Sequence, residues 1–138
     1  MVGEILQTLE QYAQAYCAKD LDGLMALFDD GDDITVIGTG SDELCAGPQA
    51  IRDLFARNFE EASAERFEWH WTKTTVRDTA AVVATTLTIH LDLDGEKLSV
   101  PLRWTVVLRR SGDRWLWLHR HASSAAGNQE EGAAYPTK

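Results

Sequence analysis

Two histidines, His119 and His121, are two residues apart in a segment with the apolar pattern of a β-strand. Side chains at this spacing point to the same face of a strand, so the pair could share a metal ion. The third ligand would have to come from elsewhere, such as His70 or His90. The alternative is a pair of histidines on a packed or interface surface. Two ligands of three do not define a metal site, and we expect none.

His90 is the second candidate for chemistry, because Asp92 is expected on the same face of its strand. A carboxylate beside an imidazole can orient that ring as a general base. The alternative is an exposed strand end, since a turn at Asp94-Gly95 follows closely. The sequence has no phosphate-binding loop, nucleophile elbow or zinc-ligand spacing, and we expect no cofactor.

The 138 residues carry a net charge of −9, and this charge is unevenly distributed. Residues 1–62 hold 13 acidic and 3 basic side chains, whereas residues 63–138 hold 9 acidic and 10 basic ones. Nucleic acid and anionic lipid both require clustered lysines and arginines, so we expect neither as a partner. A near-neutral second half suits a surface that meets a copy of itself.

The composition of individual segments predicts a cytoplasmic location. The longest stretch of the apolar region without a charged residue, 79–91, is too short to span a bilayer. The N-terminus lacks the basic region of a signal peptide. Cys17 and Cys45 form no disulfide framework and fit a reducing compartment, where we expect them to be small buried hydrophobic residues.

The first half of the sequence has mainly helical periodicity. Apolar residues at three- and four-residue spacing predict a helix from Val2 to about Lys19, and Asp20 can cap a short second helix. The β-branched run 34–37 predicts a strand that pairs with residues 43–46. A further helix is expected to begin at Pro48, because proline lacks the amide hydrogen that would be unsatisfied there.

From about residue 65 the hydrophobic period changes to two, which predicts four long strands. The strands are expected over residues 65–77, 80–93, 97–110 and 114–124. Helices followed by an antiparallel meander predict an α+β fold. We expect one domain over residues 1–123 and a C-terminal tail over residues 124–138, whose composition is typical of disorder.

All five tryptophans lie on these strands. Trp69 and Trp71 are expected to share one face of their strand, and Trp115 and Trp117 one face of theirs. Aromatic pairs of this kind usually fill a core or a subunit interface.

Four segments occur in a recognisable order: Asp20–Phe28, Gly47–Arg52, Leu102–Leu108 and Trp115–Ser123. Together they resemble the SnoaL-like branch of the NTF2-like superfamily, in the pattern shared with the association domain of calcium/calmodulin-dependent protein kinase. The ending Trp-x-x-x-His-x-His-x-Ser is the most specific part. The resemblance implies a cone, in which a curved antiparallel sheet wraps around the N-terminal helices and leaves a pocket at the open end. It also implies a homodimer or larger ring through the convex face of the sheet.

In the kinase association domain, an arginine cluster lines the pocket and attracts anions. The alignment places those positions on Thr86, Val106 and Ala122, none of which is basic. An aromatic residue and a histidine of the same pocket fall on Phe59 and Ile51. The resemblance therefore implies a largely neutral and apolar pocket that takes a neutral small molecule. The strand pattern adds three residues beside these positions, namely His90, Trp104 and Arg120.

The placement of Thr86 depends on the register between two strands. A two-residue turn would pair Leu91 with Leu98. The alignment instead pairs Thr86 with Val106, which needs a three-residue loop ending at Gly95 or a bulge. We adopt the register of the alignment.

Three functions are compatible with this resemblance, because the fold alone does not choose among them. We favour a small-molecule-binding protein. The first alternative is an enzyme of the isomerase, dehydratase or polyketide cyclase type, with His90 as the candidate acid–base residue. The second is a domain that only oligomerises. Convergence of His90 and Arg120 on a cavity would favour binding or catalysis, whereas a cavity filled by Trp104 and Phe59 would favour assembly.

Overall fold

The computed structural model describes all 138 residues. Three helices precede the long strands: α1 (Val2–Cys17), α2 (Leu21–Met25) and α3 (Pro48–Glu61). Two short strands, β1 (Thr35–Ile37) and β2 (Leu44–Ala46), lie between α2 and α3. The four long strands are β3 (Ser63–Arg77), β4 (Ala80–Leu93), β5 (Glu96–Ser111) and β6 (Arg114–Ser123). The expected order and type of these elements are confirmed, with ends that differ by about two residues.

The six strands form one curved sheet in the order β2-β1-β6-β5-β4-β3. All neighbouring strands are antiparallel except β1 and β6, which run parallel. The inner face of the sheet is the one that the helices cover. On β4 it carries the buried residues Ala81, Val83, Thr85, Leu87 and Ile89. The outer face carries their neighbours Val82, Ala84, Thr86, Thr88 and His90.

The short elements begin where their local chemistry predicts. The carboxylate of Asp20 accepts a hydrogen bond of 3.0 Å from the amide of Gly23, which caps α2. Pro48 is the first residue of α3. Gly47 precedes it with φ +88°, a backbone conformation that favours glycine and turns the chain from β2 into α3.

The core lies between α1, α3 and the inner face of the sheet, and aromatic rings fill its centre. Tyr12 of α1 stacks on Trp117 of β6, with ring centroids 5.0 Å apart. It also meets Trp104 of β5 edge to face at 4.9 Å. Phe55 of α3 contacts Tyr12 from the other side at 6.0 Å. Such pairs contribute beyond their buried area, so this cluster fixes α1 on the sheet.

The expected register between β4 and β5 is wrong. A two-residue Asp94-Gly95 turn joins the strands, and Leu91 pairs with Leu98. Both turn residues have positive φ, +51° and +93°, which matches the hairpin turn whose twist suits the flanking strands. No bulge follows the turn, so Thr86 does not pair with Val106. Thr86 lies on the outer face instead.

The expectation that Trp69 and Trp71 share a face is also wrong. The pairing of β3 with β4 shifts between Trp69 and Thr72, which reverses the side-chain alternation of β3. Trp69 packs inside the sheet against Trp104, with ring centroids 5.8 Å apart. Trp71 lies on the outer face and is 56% exposed. The second pair, on β6, does share the inner face, and both of its indoles are buried.

The tail after β6 has no helix or strand. Its side chains are exposed from residue 124 onward, and it folds back on itself through a 2.7 Å bond from the Thr137 amide to the Asn128 carbonyl. Arg103 of β5 donates to the carbonyl of Ser124 at 3.2 Å and so holds the start of the tail. None of the three helices has both the length and the apolar composition that crossing a membrane requires.

Candidate functional site

A cavity of about 320 Å³ lies at the end of the sheet where the turn joins β4 to β5. Its strand wall is apolar, because this hairpin carries branched hydrophobic residues at its inner-face positions. Six of them line the cavity: Ile89, Leu91, Leu93, Leu98, Val100 and Leu102. The facing wall comes from α1, α3 and the β1–β2 loop, including Tyr16, Asn58 and Glu43. The size is within the range of about 300–1,000 Å³ that small-molecule sites have.

Exposure falls from one end of the cavity to the other. Leu98 is 49% exposed, and the side chain of Arg57 on α3 is 53% exposed. We call this end the mouth. Three lining residues at the opposite end, Tyr12, Trp104 and Arg120, are 1%, 2% and 7% exposed. We call this end the floor. Its polar side chains are the ones in the lining that are buried among the core residues.

Arg120 is the charged residue of the floor. Its Nη1 donates to the Tyr12 hydroxyl at 3.0 Å, and its Nη2 donates to the Ile37 carbonyl at 3.4 Å. The guanidinium carbon lies 5.3 Å from the centroid of the Trp104 ring, at cation–π distance. No carboxylate lies within 4.0 Å of the guanidinium nitrogens. The positive charge therefore has dipoles and a π face around it, but no counter-ion.

An irregularity in β6 turns Arg120 inward. The pairing of β5 with β6 shifts between Val107 and Leu108, which leaves one extra residue on β6. Strict alternation from the buried Trp117 would put Arg120 on the outer face. The extra residue reverses this, so Arg120 and Ala122 both reach the cavity.

Two tyrosines on successive turns of α1 reach the same end of the cavity. Their rings stack with centroids 5.8 Å apart. Burial raises the pKa of Tyr12, an effect that the charge of Arg120 opposes. Burial also raises the pKa of Tyr16, and a hydrogen bond with Asn58 opposes that rise. Both phenols are consequently neutral at pH 7, where they can donate a hydrogen bond but do not act as bases.

The mouth carries one arginine and three carboxylates, those of Asp42, Glu43 and the exposed lining residue Glu61. Arg57 of α3 lies 2.9 Å from Asp42 and 3.5 Å from Glu43, both in the β1–β2 loop. The hydrogen bond from Arg57 lowers the pKa of Asp42. Glu43 also accepts a 2.6 Å hydrogen bond from the amide of Gly40. The mouth thus carries more negative than positive charge, whereas the floor carries the single positive charge of Arg120.

Three of the eight residues expected at the pocket line this cavity, namely Trp104, Arg120 and Ala122. The other five lie elsewhere. Ile51 and Val106 are fully buried in the core, and Phe59 packs on Tyr16 with ring centroids 5.2 Å apart. Thr86 and His90 are on the outer face, because the two-residue turn sets the other register.

His90, the candidate acid–base residue, is held by two neighbouring strands on the outer face. Its Nδ1 is 2.9 Å from the hydroxyl of Ser99, and its Nε2 is 2.9 Å from a carboxylate oxygen of Glu68. The hydrogen bond with His90 lowers the pKa of Glu68. The expected partner, Asp92, instead accepts from the amide of Gly95 at 2.6 Å. The carboxylate beside His90 is therefore Glu68, and neither group reaches the cavity.

The other three histidines also lie outside the cavity. His119 and His121 share a face as expected, with ring centroids 6.2 Å apart. His119 is bonded to the Thr35 hydroxyl at 2.8 Å, and burial lowers its pKa. His70 is bonded to a threonine hydroxyl on β4 at 3.0 Å. Nowhere in the chain do three or more His, Cys, Asp or Glu side chains lie close enough to hold a metal ion.

Sequence reasoning missed most of the lining, including Tyr12, Tyr16, Asn58, the charged residues of the mouth and the apolar wall of the β4–β5 hairpin. The signal for the tyrosines was available, since they are four residues apart on the apolar face of α1. The wall residues were identified as apolar, but the register adopted from the alignment assigned their strands a different phase.

The sequence matches the family of SnoaL-like domains over residues 5–127. The chain therefore belongs to the SnoaL-like domain family. Curated proteins give no significant sequence match.

Solved structures of NTF2-like proteins are similar to this chain over most of its length. One is an NTF2-like protein of unknown function from Pseudomonas putida KT2440, with 21% identity, a TM-score of 0.76, and coverage of 99% of this chain and 94% of that one. A proposed calcium/calmodulin-dependent protein kinase II association domain from Xanthomonas campestris has 21% identity and a TM-score of 0.78, covering 90% and 87%. A proposed dehydratase of the NTF2-like family from Streptomyces avermitilis has 18% identity and a TM-score of 0.77, covering 91% and 97%. At such identities the likeness shows the fold, which is the NTF2-like α+β fold that the sequence predicts.

Proposed function

We propose that this protein binds a small molecule in the cavity at the open end of its sheet. The observation that carries the proposal is the combination of an apolar strand wall with a buried polar floor around Arg120. A cavity with few convergent polar groups and an apolar lining is the usual form of a small-molecule site. Trp104 and Phe59, which were expected to fill the cavity of a purely oligomerising domain, leave it open. Trp104 forms part of the floor, and Phe59 packs outside the lining.

Catalysis is the weaker alternative for this cavity. The enzyme hypothesis rests on a histidine or aspartate in the pocket, and the lining contains neither; its two carboxyl groups are those of Glu43 and Glu61, away from the buried floor. The two buried phenols have raised pKa values and are poor general bases at neutral pH. Binding without chemistry needs neither group.

Native mass spectrometry of the purified protein tests the proposal directly, because a retained ligand adds its mass to the folded species. The variant Val100→Trp places a large side chain in the cavity wall and should remove that added mass. Val2→Trp introduces the same residue at an exposed position of α1, outside the cavity, and is the matched control. A ligand retained equally by both variants would place the binding site elsewhere.

We also propose that two copies associate through the outer face. Two large apolar side chains are exposed there, Trp71 at 56% and Val82 at 39%. The β4 positions between them, Ala84 and Thr86, are small and uncharged. A second copy of the chain would bury these groups.

Analytical ultracentrifugation at micromolar concentration tests this association. The wild-type chain should sediment as a dimer or larger assembly, and Trp71→Glu should sediment as a monomer. Trp71 is exposed, so this change should leave the fold intact, which circular dichroism can verify. A wild-type monomer would overturn the proposal.

We also propose that the protein is cytoplasmic, and the state of its two cysteines supports this location. Cys17 and Cys45 are both unpaired thiols in the structure. Burial raises the pKa of each thiol and reduces its reactivity. Free thiols of this kind are compatible with a reducing compartment.

A further inference from the structure

The guanidinium of Arg120 is a buried charge without a counter-ion. The side chain is 7% exposed, and its two hydrogen-bond partners, Tyr12 and Ile37, are neutral. The cavity lining contains the carboxylates of Glu43 and Glu61, but neither lies within 4.0 Å of the Arg120 nitrogens, and Glu43 is bonded to Arg57 and to the amide of Gly40. Proteins rarely bury a charge unless it is paired, because removing an ion from water is costly. The floor of the cavity therefore holds a buried positive charge that no carboxylate of the protein pairs with.

The unsatisfied groups of the floor are all hydrogen-bond donors. A guanidinium has five N–H donors, and Arg120 uses two of them, with Nε lacking any partner. The indole nitrogen of Trp104 is also buried without an acceptor. The Tyr12 oxygen accepts from Arg120 and has no other protein partner, so its own hydrogen remains to be donated. The Nε of Arg120 and the indole nitrogen of Trp104 are closed off from the cavity, so the ligand would be bound by the free N–H groups of the Arg120 Nη nitrogens and by the Tyr12 hydroxyl. These donors match a ligand group that accepts hydrogen bonds and is negatively charged.

Carboxylate is the anion that fits best. It accepts at two oxygens in the geometry that a guanidinium offers, and its single charge balances the single charge of Arg120. A phosphate would bring up to two charges to this floor. The remaining cation of the lining, Arg57, is already bonded to Asp42 and Glu43 at the mouth. The excess of acidic residues in the first half of the chain further disfavours polyanions.

The part of the ligand that faces the strand wall must be apolar. Between the floor and the mouth, the strand wall presents only hydrocarbon side chains from β4 and β5. Contact with this wall provides the hydrophobic contribution to binding. We infer that the ligand is a monocarboxylate with a hydrocarbon or aromatic body, whose carboxylate is bound by Arg120 and Tyr12 on the floor of the cavity. This replaces the neutral ligand that the family resemblance implies. The inference rests on the proposed function and specifies its ligand class.

Isothermal titration calorimetry with matched pairs of probes tests the inference. The probes are octanoate, decanoate, phenylacetate and naphthalene-2-carboxylate, each compared with its own carboxamide, which has nearly the same shape and no charge. At least one carboxylate should bind, and at least tenfold more tightly than its amide. Equal affinity for acid and amide would overturn the inference but leave the proposed function standing. Binding of neither series, together with no retained ligand in native mass spectrometry, would overturn both.

Two variants test whether Arg120 causes the preference for carboxylates over carboxamides. Arg120→Met keeps a side chain of similar length and should abolish the preference for carboxylates while retaining weak binding of the amides. Arg103→Met, on the outer face of β5, is the matched control and should bind as the wild type does. Tyr12→Phe provides a second variant that keeps the ring in place and should weaken carboxylate binding several-fold. A carboxylate preference that survives in Arg120→Met would contradict the inference.

Discussion

Arg120 and Tyr12 are 108 residues apart in the chain, yet the Nη1 of the arginine donates a 3.0 Å hydrogen bond to the tyrosine hydroxyl in the buried floor of the cavity. This bond joins the last strand of the sheet to the first helix. It also holds the guanidinium against the face of Trp104. The same two side chains thus connect the core, which they help to assemble, with the cavity that we propose as a binding site.

Tyr12→Phe should lower the free energy of unfolding by about 1–3 kcal/mol, because it leaves one more buried donor of Arg120 without an acceptor. The ring remains, so the stacking with Trp117 is kept. Urea denaturation followed by tryptophan fluorescence measures the change. Tyr135→Phe, at an 82% exposed position in the tail, is the control and should have no effect. An unchanged midpoint for Tyr12→Phe would mean that the bond contributes nothing to stability.

Replacing each tryptophan of β3 by alanine should lower the free energy of unfolding by different amounts. Trp69→Ala should lower it by about 3 kcal/mol, because the Trp69 ring packs inside against Trp104 and Phe67. Trp71→Ala should cost less than about 0.5 kcal/mol in the monomer, since Trp71 is mostly exposed. Thermal unfolding of both variants at low protein concentration makes the comparison. Similar losses would contradict the irregularity in β3 that separates the two side chains.

Glycine-to-alanine changes should have opposite effects at Gly95 and Gly3. Gly95 has φ +93° in the β4–β5 turn, so Gly95→Ala should destabilise by about 1 kcal/mol. Gly3 lies in α1, where a Cβ would meet nothing within 4 Å, so Gly3→Ala should stabilise by up to about 1 kcal/mol. Chemical denaturation of both variants measures whether each change lowers or raises the free energy of unfolding. A neutral Gly95→Ala would contradict the two-residue turn and the register it sets.

The ion pair between Asp29 and Arg109 should make stability depend on pH in the acidic range. The carboxylate lies 2.6 Å from the guanidinium, and this hydrogen bond lowers the pKa of Asp29. A carboxyl group with a lowered pKa stabilises the folded state above its unfolded pKa of about 3.9, and this contribution is lost as pH falls through the folded pKa.

Asp29→Asn should therefore be less stable than the wild type by about 1 kcal/mol at pH 7, a value reduced by the partial exposure of Arg109. The difference should shrink as pH falls below about 4. Denaturation curves from pH 7 to pH 2 measure it, with Asp30→Asn at the exposed neighbouring position as the control. A difference that stays constant over this range would exclude the pair as its cause.

Local rules predicted the elements of this fold because the interactions that form them are local. Asp20 and Pro48 mark helix starts through groups within three residues of themselves. The change of hydrophobic period near residue 65 marks the first long strand for the same reason. The order of the motifs was sufficient to identify the SnoaL-like family, which the match over residues 5–127 bears out.

The sequence by itself therefore determined the α+β class, the order of helices and strands, and the presence of an arginine beside Ala122 on the last strand. Only the tertiary structure decided the face of the side chains that follow an irregular pairing or depend on the register between two strands. Irregularities in β3 and β6 reversed the alternation, so Trp71 lies outside and Arg120 lies inside. The two-residue turn set the register between β4 and β5, which leaves His90 outside. The physical reason is that a bulge or register depends on pairing with a neighbouring strand, and a shift of one residue moves every following side chain to the opposite face.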